Sequence, residues 1–269
     1  MISNLYNNMK FNSINKKEQQ KIHLQNLLTI YKKLKIPYPL KSTYNSIIPF
    51  NIFQTWHSKE LPPFMQKTVN KIKFINPEFS HYLFDDNDCR EFIKTNFEEN
   101  ILNAYDNLIP GAYKADLWRY CILYKKGGIY LDIKYTLINN FKFINLTEAE
   151  HWVLDADKNG IYNALIVCKP NNSVLLATIN KIVENVRNKF YGNSSLEPTG
   201  PMLLSSFFTN EQKKQFDMYH DFYISFENRF IYFNNYLVFK SYNGYINEHD
   251  KNKKVDHYSD LWKKKNIYK

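Results

Sequence analysis

Apolar and polar positions along the chain alternate between two periods. Around "IPFNIFQTW" and "FSHYLF" they read as strands, and between these Pro63 to Phe74 repeats at helical spacing. A second helix is expected after the Asp85-Asp86-Asn87-Asp88 cluster, whose carboxylates suit a helix start. A third, from about Tyr113 to Lys125, runs into the Gly127-Gly128 turn. Strands at "HWVLDA" and "YNALIVC", a helix over Val174 to Lys189, a polar loop to Gly200-Pro201 and a tail of short strands and turns complete the pattern, with no internal repeat. Strand, helix, strand, helix predicts an α/β fold with a mostly parallel central sheet flanked by helices. Upstream, Leu24, Leu27, Leu28, Tyr31 and Leu34 fall at helical spacing within residues 16–35, and Pro37 and Pro39 mark a linker. The expected organisation is a helical extension over residues 1–45 and one domain over residues 46–269.

The stretch "KKGGIYLDIKYTL" carries the first candidate chemistry. Ile129, Leu131 and Ile133 alternate with Tyr130, Asp132 and Lys134, which predicts a strand with Asp132 and Lys134 on one face. Ligands of open α/β sheets bind beyond the carboxyl ends of the strands, where Asp132 falls. Asp116 and Arg119 lie at i and i+3 on one helix face, either as a surface ion pair or as an acid and base fork for a polyhydroxylated ligand. Asp155 and Asp157 form a second acidic pair, a possible accessory cation site.

Composition narrows the classes. The chain has 269 residues, 44% of them hydrophobic, enough for one large core. No apolar run has the length of a signal peptide or a membrane span, which leads to the expectation of a soluble, cytoplasmic protein with no transmembrane anchor. Residues 16–35 also fit contact with a membrane surface, against a polar face that mixes Lys with Glu and Gln. Three widely spaced cysteines point to a reducing compartment and no structural metal. The net charge of +10 keeps acidic partners open, but the lysines gather toward the chain ends and form no basic and aromatic stripe, so nucleic acid is not expected as a partner. Glycine-loop nucleotide signatures, HExxH and GxSxG are missing.

The segment "KADLWRYCILYKKGGIYLDIK" closely resembles the central motif of glycosyltransferase family 32, the DXD-motif sugar transferases. "IPFNIFQTWHSKELPP", "NPEFSHYLFDDNDCREFI", "IYNALIVCKPNN", "TGP" and "HYSDLW" match in order, so the resemblance spans roughly residues 47 to 262. It implies a GT-A fold with a Rossmann-like sheet, a nucleotide-diphosphate sugar donor, a glycan or protein acceptor and retention of anomeric configuration. On the same basis Gln54 and Trp56 fall where the family holds the base and ribose. Asp116 and Arg119 fall on the pair that grips the donor sugar and phosphates. Asn163, Gly200 and Pro201 line the sugar or acceptor side, and His257 and Trp262 lie on the segment that closes over the diphosphate.

Asp132 corresponds to the first acidic residue of the DXD motif, and the resemblance implies Mn²⁺ or Mg²⁺ held by Asp132 and His257. Lys134 stands where the family has the second carboxylate, and a protonated lysine cannot ligate a divalent ion. Three readings follow: weakened metal binding, with a tail carboxylate such as Asp256 or Asp260 contributing; an ammonium that takes over part of the metal's work; or an Asp132–Lys134 pair that leaves sugar nucleotides bound poorly or not at all. A catalytically silent sugar-nucleotide or carbohydrate-binding module on the same fold is the alternative function. An active, metal-using transferase with Asp132, Lys134, Asp116 and Arg119 as its catalytic group is the expectation carried forward.

Overall fold

The computed structural model describes residues 25, 29, 32–223, 225–252 and 255–269. Most of the helix expected over 16–35 lies outside these residues. Within them, Thr29 donates to the carbonyl of Gln25 at 2.9 Å, and Leu34 packs against Ile138, Phe230, Tyr232 and Leu237.

The first half follows the expected alternation: β1 (Asn51–Thr55), α1 (Pro63–Ile75), β2 (Ser80–Phe84), α2 (Asp86–Asn96), α3 (Glu99–Asn107), α4 (Gly111–Lys126) and β3 (Gly128–Leu131). The acidic cluster starts α2 through a reciprocal capping box: Asp88 N–H donates to the Asp85 side chain, and the Asp85 N–H donates to Asp88. Then come β4 (Tyr135–Leu137), β5 (His151–Leu154), β6 (Ile161–Cys168), α5 (Ser173–Arg187), the short α6 (Pro201–Ser205) and α7 (Asn210–Lys213). The tail forms β7 (Met218–Tyr223), β8 (Ser225–Phe233), β9 (Tyr236–Ser241), α8 (Tyr245–Asn252) and α9 (Tyr258–Lys263).

The strands form one nine-stranded sheet in the order β2-β1-β3-β6-β5-β7-β8-β9-β4. Pairing is parallel for β2-β1-β3, where helices cross between strands, and again for β5-β7. It is antiparallel elsewhere, because hairpin-like returns such as β5-β6 and the β7-β8-β9 meander need no crossover. The sheet is therefore mixed, with its parallel part confined largely to the alternating first half.

One core cluster lies between the sheet and α2 to α5 and includes Trp118, Tyr120, Leu123, Ile166 and Ile179. A second contains Ile52, Leu131, Phe143, Val153 and Phe239. Helix α4 is buried on nearly every side: Tyr113, Leu117, Trp118, Tyr120, Cys121, Ile122 and Leu123 are each at most 1% exposed. Burying side chains of this size contributes about 1.5 to 3 kcal/mol each. The same encasement draws Asp116 and Arg119 into the interior.

The strand expected to run through Lys134 stops at Leu131. Asp132 still donates its N–H to the Ala164 carbonyl at 2.7 Å, and the chain then turns, with Tyr135 N–H donating to the Asp132 carbonyl at 3.1 Å. Asp132 and Lys134 therefore meet across a tight turn, not along a flat strand. The turn brings Ile133 into an apolar cluster with Met65, Val69 and Tyr242, which rewards bending the chain at this point.

Candidate active site

Helix α4, the end of β3 and the start of β6 bring four charged or amide side chains into one buried group. Arg119 donates from Nη1 to the main-chain carbonyl of Asn163 at 2.7 Å and from Nε to the Ala115 carbonyl at 3.2 Å. It pairs with Asp116 at 3.3 Å and with Asp132 at 3.4 Å, and its guanidinium lies 4.4 Å from the Tyr130 ring centroid. Arg119 thus joins the two carboxylates. The surface ion pair that spacing alone allowed is absent, since Asp116 is 7% and Arg119 6% exposed.

Asp116 is fully engaged. Asn163 Nδ2 donates to its Oδ1 at 2.9 Å, and the Thr199 hydroxyl donates to its Oδ2 at 2.8 Å. Asn163 Nδ2 also donates to the Tyr120 hydroxyl at 2.7 Å, and that hydroxyl donates to the Thr199 carbonyl at 3.2 Å. Gly200 follows, and a Cβ there would sit 3.5 Å from Asp116 Oδ2. Pro201 opens α6 with Gly200 at its N-cap, a position where its missing N–H costs nothing. Burial pushes the Asp116 carboxyl up to about 6, opposed by the Arg119 charge.

Asp132 opposes Lys134 at the mouth of this group, its side chain 20% exposed against 9% for Lys134. The Tyr130 hydroxyl donates to Asp132 Oδ1 at 2.7 Å, and the Lys134 ammonium donates to Oδ2. Burial would raise the Asp132 carboxyl, but Lys134 and Arg119 outweigh it and hold it below the usual carboxylate range. For Lys134 burial favours the neutral amine, and the Asp132 carboxylate reverses that, so the ammonium is held more firmly than in water. Its Nζ lies 5.5 Å and 5.4 Å from the ring centroids of Tyr135 and Tyr162. Arg229 hydrogen-bonds Tyr162 and adds a second positive charge within electrostatic reach of Lys134.

The residues here do not fit a divalent cation. Among the described residues, no group of three or more His, Cys, Asp or Glu side chains is placed to hold a metal. Asp132 Oδ1 accepts from the Tyr130 hydroxyl and lies 3.4 Å from Arg119 Nη1, and its Oδ2 accepts from Lys134. Two unit positive charges 4 Å apart repel by about 4 kcal/mol at an effective dielectric of 20, and a dication doubles that. His257 is exposed and caps α9, its Nδ1 accepting from Ser259 N–H at 3.4 Å and facing the Ser259 hydroxyl at 2.8 Å. The acidic pair at 155 and 157 is also committed elsewhere. Asp155 accepts from Ala156 N–H and pairs with His220 Nδ1 at 2.9 Å, and Asp157 accepts from the N–H groups of Asn159 and Gly160. His220 is held neutral by burial, against the pull of Asp155, and stacks on Tyr162 at 3.8 Å.

The remaining candidates lie around this group. Gln54 is fully buried and braces the end of β3, donating to the Leu131 carbonyl at 3.2 Å and pairing with His81 Nε2 at 2.7 Å. Trp56 is half-buried against the cluster that contains Ile133, with His57 and His249 ring centroids 4.6 Å and 5.9 Å away. Trp262 packs on the helical core and donates Nε1 to the Tyr191 carbonyl at 2.6 Å. From the same helix α9, Tyr258 reaches into the field of Asp116, Arg229 and Lys134. Sequence reasoning missed Tyr120, Tyr130, Thr199, Tyr162, Arg229 and Tyr258. Thr199, the first residue of the "TGP" match, carried a usable signal, while the tyrosines were hidden among 21.

Residues 62–154 match the family model described as "Glycosyltransferase sugar-binding region containing DXD motif". The chain is 29% identical over 169 residues to the inositol phosphoceramide mannosyltransferase 3 of Schizosaccharomyces pombe, covering 62% of this chain and 47% of that protein. It is 27% identical over 183 residues to the initiation-specific alpha-1,6-mannosyltransferase of Candida albicans, covering 65% and 43%. An uncharacterized glycosyltransferase, L373, of Acanthamoeba polyphaga mimivirus is 38% identical over 89 residues, covering 32% and 36%. The chain thus spans less than half the length of these curated relatives. Among solved structures, the PaToxG glycosyltransferase superposes with a TM-score of 0.47 at 17% identity, over 70% of this chain and 75% of that one. Asp116, Arg119, Asp132 and Lys134 all fall within the segment, residues 62–154, that matches this family model.

Proposed function

We propose that this chain is a retaining glycosyltransferase of GT-A type that moves a hexose from a nucleotide-diphosphate sugar to a glycan or protein acceptor. The observation that carries the reading is the Arg119 bridge between Asp116 and Asp132, a buried polar group at a strand end inside the matched sugar-binding region. Asp116, Asn163 and Gly200 supply the side that faces the sugar, and Asp132, Lys134 and Arg119 the side that faces the diphosphate. Trp56 offers an aromatic face to the base, with Gln54 supporting it. Trp262 anchors α9, which with Pro201 borders the donor. In the reaction the bond between the anomeric carbon and the β-phosphate oxygen breaks, with its electron pair left on that oxygen. The acceptor hydroxyl oxygen bonds to the anomeric carbon, and its proton passes to the departing diphosphate.

Mannose is the hexose to test first, since the three relatives that match more than half of this chain are named mannosyltransferases. The DXD-motif family is typically metal-using, and Mn²⁺ or Mg²⁺ at Asp132 and His257 is the arrangement that Lys134 opposes. Residues 46–269 serve as the transferase domain, with residues 1–45 as an extension. Among the described residues no helix is long and apolar enough to cross a membrane. Three free, buried cysteines suit a cytoplasmic setting.

The test is a panel of UDP- and GDP-sugars with simple glycoside acceptors, read by release of nucleoside diphosphate and by the anomeric configuration of the product. Release with one donor, lost in Asp132→Asn, supports the reading. Donor binding without release from any acceptor would make the chain a silent binding module, and an inverted product would overturn retention.

A further inference from the structure

Lys134 does more than fill the place of a carboxylate. Of its three N–H donors, one serves Asp132, while the Tyr135 and Tyr162 rings flank the ammonium through their π systems. Donor capacity is therefore left for an anion. The carboxylate that accepts from Lys134 is the most exposed member of the group, its side chain 20% exposed against 7 to 10% for Arg119, Lys134 and Asp116, so the ammonium is bonded to the residue that faces solvent most. Arg119 reaches the same carboxylate from the helix side, and Arg229 approaches from β8. Arg119, Lys134 and Arg229 thus gather near one strand end, opposed by the carboxylates of Asp132 and Asp116.

We propose that Lys134 is the resident cation of this site, that its ammonium hydrogen-bonds a phosphate oxygen of a nucleoside diphosphate, and that the donor is bound without a divalent metal. The proposal rests on the donor reading above. Asp132 is then a positioning residue, which aims the ammonium and leaves metal ligation to no one. A phosphate entering the site gains a charge-assisted hydrogen bond at a point already desolvated, where such bonds are strongest. A metal would have to displace Lys134 from Asp132 and remain beside it.

Calorimetric titration of the full chain with UDP and with GDP, each in EDTA and in Mn²⁺, tests this. The expected result is a dissociation constant that agrees within about threefold between EDTA and Mn²⁺, since the ammonium is already in place. Lys134→Met weakens binding on the order of a hundredfold, and Mn²⁺ does not restore it. Lys134→Asp binds poorly in EDTA and recovers with Mn²⁺, and electron paramagnetic resonance shows Mn²⁺ held by that variant in the presence of nucleotide but not by the unmodified protein. If Lys134→Asp fails to fold, the comparison of EDTA with Mn²⁺ in the unmodified protein and the Lys134→Met titration still decide. Binding that requires Mn²⁺ in the unmodified protein, or full affinity in Lys134→Met, overturns the lysine proposal and leaves the donor reading standing. Failure of every nucleotide in both conditions, with the protein folded, overturns the donor reading and this proposal with it.

Discussion

Arg119 donates to the main-chain carbonyl of Asn163 across 44 residues of sequence, at 2.7 Å. A helix side chain and the central strand β6 are tied there by a charged hydrogen bond, and the Asn163 amide returns the tie by donating to Asp116.

Arg119→Lys keeps the charge and loses the fork. One ammonium cannot reach Asp116, Asp132 and the Asn163 carbonyl together. Stability at neutral pH is expected to fall by about 2 to 4 kcal/mol in denaturant titration, with nucleoside diphosphate affinity falling as well. A variant as stable and as tight-binding as the parent would show that the bridge is dispensable.

Asn163→Ala leaves the Tyr120 hydroxyl without its amide donor and Asp116 Oδ1 with Arg119 alone. The expected loss is about 1 to 3 kcal/mol. Thr199→Val tests the other oxygen of Asp116 in the same way, and because both side chains serve one carboxylate, the double variant should lose other than the sum of the two. Strict additivity would mean that the hub does not act as a unit.

The pH dependence of Asp116 has a definite sign. Its carboxyl is near 6 in the folded chain against an ordinary 3.8, with burial the main cause. Between those values the native state keeps a proton that the unfolded chain has released, so this group's contribution to stability falls as pH rises from about 4 to 6 and is level above. Asp116→Asn removes that slope. Relative to the parent, the variant should therefore gain up to about 3 kcal/mol between pH 4 and pH 7, about 1.4 kcal/mol per unit of pKa difference. A relative loss over that range would mean that Arg119 outweighs burial.

Gly128→Ala probes the entry to β3. Gly128 has φ of +118°, and a Cβ would lie 2.7 Å from the Asn51 carbonyl oxygen in β1. Strain and overlap together should cost about 2 to 5 kcal/mol. Unchanged thermal denaturation would show that β1 and β3 can separate there without penalty.

Much of the fold was legible because its signals are local. Helices α1 and α5 repeat at 3.6 residues, α2 begins at its own acidic capping box, and β1, β2 and β6 are bounded apolar runs. The strand expected through Lys134 failed because alternation describes the side chains and cannot tell a strand from a turn that happens to bury the same residues. The sheet came out mixed because direction depends on how each connection returns, and a run of apolar residues carries no direction.

By itself the sequence determined that Asp116 and Arg119 share a helix face, that Asp132 ends an apolar run, and that a lysine stands two residues beyond it. Tertiary structure alone decided that this acid and base pair is buried, that Asn163 and Thr199 reach Asp116 from 47 and 83 residues away, and that Lys134 closes on Asp132 across a turn. The reason is the range of the forces involved. Periodicity and capping are set by neighbours a few residues apart, while the desolvation that raises one carboxyl, and the charges that hold down the other, exist only once distant segments exclude water from the same place.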